Sequence, residues 1–228
     1  MRQLSFCRKG VKRVFYVTLL SILCFNENVD AQLDFVSRFL EPSIFKVSDG
    51  MRQYIRDELP GVTHNRTDEL KDTDLIFLKG MELSNKNPGS ALLAISIAVL
   101  NRRDIKPSFP LFGVIKLPLP SEDSADAAAR INKLPRYFFE DSPQDKFGDS
   151  DKLAHFFGSA YLTYETGSKK VPDAIGTLVE QGEVAFKLDV AEDPRDVFAN
   201  RLGQLFGEAL SEGRAVLPSD YLSAKYIK

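Results

Sequence analysis

Five polar residues in the last third of the chain have types and spacings suited to acting together: Asp151 and His155, Glu183, and Asp196 and Asn200. A histidine among carboxylates can pass a proton or ligate a divalent ion, and an amide can orient what is bound. Asp151 and His155 stand four residues apart, as do Asp196 and Asn200, so each pair shares one side of a helix. Lys152 adds a cation that a phosphate or lipid headgroup could use. His64 and His155 are the only histidines, and His64 lies far from these carboxylates in sequence, so histidine catalysis would fall to His155. Other chemistries lack their residues: past Cys24 there is no cysteine nucleophile, and the chain has no G-x-S-x-G elbow, P-loop or HExxH. The acidic stretch Glu140, Asp141, Asp145, Asp149 and Asp151 does not follow the D-x-D-x-D-G order of a calcium loop.

Each candidate also has a purely structural reading. Asp151 can favour a helix dipole, and Asp196 can complete a capping box with Asp193. Glu180 and Glu183 can form a solvated face, and His155 can be a core histidine satisfied by Asp151 or a carbonyl. Three helices must carry the set. The first spans about residues 151–165, with Leu153, Phe156, Phe157, Ala160 and Tyr164 on one face. Lys152 and Glu165 are its only other charged positions, which makes it central and buried. The second begins at Pro172 and runs to about residue 188. The third has Asp193 as N-cap and Pro194 at its first position, and runs to about residue 210. Along it Asp196, Asn200, Gly203 and Gly207 form a seam of short residues where another helix can come close.

In order, Asp151-Lys152-x-x-His155-Phe156, a helical Glu183, and Asp196-x-x-x-Asn200-x-x-Gly203-x-x-x-Gly207 resemble the VanZ-like and YfiM-type envelope proteins. The resemblance covers roughly residues 145–210. It implies a bacterial envelope protein of undefined activity and supplies no mechanism. The module departs from the VanZ-like pattern in being too polar to span a membrane, and in lacking a Pro-Gly-Arg turn after Glu183.

The remainder reads as mainly α. Residues 33–40 and 50–59 have helical character, the latter stopped by Pro60. Residues 74–78 (DLIFL) read as a strand. Asn87 and Pro88 open a buried apolar helix reaching about residue 100. Four prolines between 106 and 120 exclude a regular helix there and favour an extended crossing segment, and residues 121–132 favour a helix with an acidic start. The expected fold is a single compact helical domain: a mixed region over 32–120 with minor extended segments, then a helical module over 121–228 that includes the three helices.

The N-terminus has the pattern of a secretory signal over residues 1–31. Five basic residues precede the apolar run 14–25, and Val29 and Ala31 sit at −3 and −1 of a cleavage position. The run is shorter than the roughly 20 residues a membrane span needs. Removing the signal takes both cysteines with it and leaves 25 basic against 30 acidic residues. That balance argues against a nucleic-acid partner. Peripheral contact with membrane or envelope components remains open, as do cofactor, metal and oligomeric state. The expected protein is exported to the periplasm or secreted, with an uncleaved signal as membrane anchor the alternative, and has a structural or binding role built on a buried polar helix network. The alternatives are a metal-dependent or acid–base hydrolase of an envelope phospholipid or lipid carrier, and a phosphate- or headgroup-binding module.

Overall fold

A computed structural model describes residues 41–100, 104–105, 108–109, 113–114, 117–118, 122–166 and 194–224 of the chain. Contacts set Pro42–Lys228 apart from the preceding residues, and all that follows concerns this unit. It is mainly helical, with seven helices among the described residues. In chain order they are α1 (Pro42–Asp57), α2 (Arg66–Leu83), α3 (Pro88–Ala98), α4 (Ser124–Lys133), α5 (Lys152–Thr166), α6 (Pro194–Ser211) and α7 (Pro218–Leu222). Between α3 and α4 lie two antiparallel pairings of two-residue strands. β1 (Asp104–Ile105) pairs with β4 (Leu117–Pro118), and β2 (Ser108–Phe109) with β3 (Gly113–Val114). The signal-like segment, the 33–40 helix and the second helix of the C-terminal trio, with Glu180 and Glu183, lie outside the described residues.

At the centre is α3. Asn87 accepts a hydrogen bond from the Ser90 amide, Pro88 fills the first position, and every residue from Ala91 to Ala98 is buried. A helix apolar on all sides needs neighbours on all sides, and α3 packs against α1, α2 and α5. Its end is closed from α4. The Arg130 side chain, 1% exposed, donates to Ala98 O at 2.7 Å and Leu100 O at 3.1 Å. It is neutralised by Glu122, with bonds of 2.8 and 2.9 Å. The guanidinium thus satisfies carbonyls that a helix C-terminus leaves without partners.

The strand expected at residues 74–78 is instead the middle of α2. Ile76 and Phe77 are buried while Leu75 and Leu78 are exposed, a helical rather than alternating order. A five-residue apolar run does not distinguish the two forms. The flanks decide: Asn65 caps the helix by accepting from the Thr67 amide, and Asp68 and Glu69 occupy its first turn. Phe77 meets Phe206 of α6 edge-on at 5.1 Å, and Asp74 accepts from the Ser219 amide of α7 at 2.8 Å, so helices from both halves of the sequence interleave.

Candidate functional site

The site is the crossing of α5 and α6. Gly203 and Gly207 of α6 face backbone, and a β-carbon on either would lie 2.1 Å from Phe156 O and 2.2 Å from Ala160 O respectively. Contacts advance together along both helices, from Lys152 with Asp196 to Ala160 with Gly207, so the pair runs in the same direction. At this spacing, short polar side chains reach across. Ser159 Oγ donates to Asn200 Oδ1 at 2.9 Å, both residues being buried.

One turn towards the N-termini is the ionic part of the seam. Lys152 Nζ lies 2.6 Å from Asp196 Oδ1 and 2.7 Å from Asp151 Oδ2. His155 Nε2 is 3.5 Å from the same Asp196 oxygen. The contact of Lys152 with Asp196 is short, yet it misses hydrogen-bond directionality, so it is an ion pair first. The Lys152 side chain is 6% exposed, against 24% for Asp196 and 45% for Asp151. Lys152, the cation that a phosphate or headgroup could use, thus lies between two carboxylates. An ammonium can be buried this deeply when carboxylates replace its water, and the first turn of α5 turns it onto α6. With two carboxylates on it, this cation is poorly placed to hold a phosphate.

A second ion cluster anchors both helix starts. Arg195 forms a fork with Asp149, Nε to Oδ1 at 2.8 Å and Nη2 to Oδ2 at 2.6 Å. Its third nitrogen donates to Asp141 at 2.8 Å, and the guanidinium stands 5.5 Å from the Phe139 ring. Burial works against the Arg195 charge, but the two carboxylates outweigh it and raise the pKa above the ordinary value. Asp149 is 1% exposed, so this is a buried fork joining the α5 approach to the first turn of α6. The approach is shaped by Asp145, whose Oδ1 accepts from the amides of Phe147 and Gly148, both at 2.8 Å. Those two bonds hold its carboxyl below the usual range. Gly148 has φ +53°, and a β-carbon there would lie 2.4 Å from Arg136 O. Of the acidic stretch, Asp145 is thus spent on chain geometry, Asp141 and Asp149 on Arg195, and Asp151 on Lys152.

Of the sequence candidates, the structure brings together Asp151, Lys152, His155 and Asp196, and places Asn200 one turn further along with Ser159. Glu183 lies outside the described residues. Asp149, Arg195 and Ser159 were not among the candidates. Ser159 follows His155 by four residues on the polar side of α5, a legible signal, whereas nothing in sequence links Asp149 to Arg195 across 46 positions. Among the described residues no three His, Cys, Asp or Glu side chains converge with metal-ligand geometry. No family model, curated protein or solved structure matches the chain.

Proposed function

We propose that the chain is an exported cell-envelope protein with a structural or binding role, its single compact helical domain organised by the polar seam between α5 and α6. The observation that carries this reading is Lys152, buried and shared by Asp151 and Asp196. A cation committed to two internal carboxylates fixes which faces of the helices meet. The basic and then apolar N-terminus supports export, and the ordered D-K-x-x-H-F and D-x-x-x-N-x-x-G-x-x-x-G strings support kinship with VanZ-like and YfiM-type envelope proteins. Among the described residues no helix is long and apolar enough to cross a membrane.

One observation favours a second reading, a metal-dependent or acid–base hydrolase of an envelope phospholipid or lipid carrier. His155 Nε2 lies 3.5 Å from Asp196 Oδ1, and its side chain keeps 13% of its surface open. A histidine beside a carboxylate can serve in proton transfer. The two readings part in one experiment, the divalent-metal content and melting temperature of the purified protein beside His155→Ala. The structural reading expects no stoichiometric metal and a mutant melting several degrees lower. A mutant of unchanged melting temperature would overturn it in favour of the hydrolase, metal-dependent if a stoichiometric metal is lost with the mutation and acid–base if the wild type holds none.

A further inference from the structure

The last of the described helices, α7, is five residues long, far below the roughly 12–15 at which a helix holds by itself. Its stability has to come from what it touches. Its N-cap, Leu217, has no side-chain acceptor, and Asp220 reaches back only to the Leu217 amide, at 2.8 Å. The Ser219 amide is instead taken from outside, by Asp74 Oδ1 of α2 at 2.8 Å. At the other end the Ser223 carbonyl accepts from Arg66 Nη2, also of α2, at 2.7 Å. One polar clip from α2 thus holds each end of α7. Between the clips Pro218 and Leu222 are buried, and the Tyr221 ring stands edge-on to Phe206 of α6 at 5.6 Å.

Both neighbours are closed without α7. The α2 helix has its own cap in Asn65. The α6 helix ends in a Schellman motif: Gly213, at φ +75°, donates its amide to Leu210 O and Arg214 donates to Ala209 O, both at 3.0 Å. The connection to α7 is lightly held. Residues 211–215 are exposed, and a β-carbon on Gly213 would meet nothing within 4 Å. Rotation about this connection therefore takes α7 off α2 and α6 without unwinding either.

We propose that α7 is a strap that opens as a unit of its own while α2 and α6 stay folded, uncovering an apolar face where Phe206 of α6 meets Phe77 of α2. Those two rings are 5.1 Å apart, and with the strap closed they are 0% and 4% exposed. Opening breaks two clips and a small apolar contact, so its free energy lies below that of global unfolding. Arg66 also donates from Nε to Phe138 O at 3.0 Å, which keeps this clip anchored when the strap is open.

The test is native-state amide exchange of the full chain in low concentrations of urea. The Ser223 amide, bonded to Ser219 O at 3.1 Å, reports the strap, and the Phe206 amide reports α6. The expected result is protection at Ser223 at least about tenfold weaker than at Phe206, and nearly independent of urea because opening exposes little surface. Asp74→Ala removes a charge-assisted hydrogen bond and should speed Ser223 exchange by about tenfold or more. Arg195→Ala, at the opposite end of α6, weakens the closed and open forms alike. It should speed exchange at Phe206 and leave Ser223 unchanged. One steep urea dependence shared by both amides, with both speeding up in Arg195→Ala, would overturn the proposal, since α7 would then open only with the whole fold. So would Ser223 exchange that Asp74→Ala leaves unchanged. Should either variant not fold, the wild-type urea dependence decides: shallow at Ser223 and steep at Phe206 supports the strap, and steep at both refutes it.

Discussion

Replacing Gly203 by alanine puts a β-carbon 2.1 Å from Phe156 O, where real contacts stay beyond 3.0 Å. The obstacle is backbone inside a helix, so no side chain can swing aside, and α5 and α6 must part by about 1 Å. Overpacking costs about 1–3 kcal/mol, and an obstacle made of helix backbone puts this case in the upper part of that range, about 2–3 kcal/mol. Alanine returns about 1 kcal/mol of helix propensity relative to glycine. The net expectation is a loss of about 1–2 kcal/mol, or about 2–8 °C in melting temperature for a domain of this size. Gly207→Ala meets Ala160 O at 2.2 Å and should behave alike. Thermal melts followed by far-UV circular dichroism measure this directly. Helix propensity alone demands the opposite sign, so a melting temperature unchanged or raised in both variants refutes a backbone-close crossing.

Two further outcomes are expected from the same packing. Arg195→Ala leaves the 1%-exposed Asp149 without its counter-charge and should cost roughly 3–5 kcal/mol in urea unfolding; a change below 1 kcal/mol would show the fork to be idle. In α2, Ile76→Ala should cost about 2–5 kcal/mol, whereas Leu78→Ala, 50% exposed, should stay within about 0.5 kcal/mol; similar losses at both sites would contradict the helical phase of this segment.

How far the sequence could be read depended on whether the signal was local. Asn87 and Pro88 announce α3, Asp123 follows from the acidic start of α4, and Pro194 marks the start of α6, because caps and proline act within one turn. The glycine seam at 203 and 207 was legible for the same reason, since glycine four residues apart has a cost in a helix that close packing offsets. Residues 74–78 misled because a short apolar run lacks a period, and the deciding residues, Asn65 to Glu69, precede it by more than a turn. The burial of Lys152 was not legible, because it depends on Asp196, 44 positions on. Glu69, Asp149 and Arg195 gave no warning at all. Their meaning lies in partners brought by tertiary packing: the amides of Thr63 and Arg136 for Glu69, and each other for Asp149 and Arg195.

The most direct test of the seam as a structural element is a double-mutant cycle on Lys152→Met and Asp196→Leu, read as unfolding free energy. Each single change leaves a charge facing an apolar neighbour. Lys152→Met should cost about 1–3 kcal/mol, and Asp196→Leu a similar amount, softened because Asp151 still contacts Lys152. The double variant should regain at least about 1 kcal/mol over the sum of the singles, since the groups interact directly. Strictly additive effects, or single variants as stable as wild type, would contradict the claim that this half-buried pair holds α5 and α6 together.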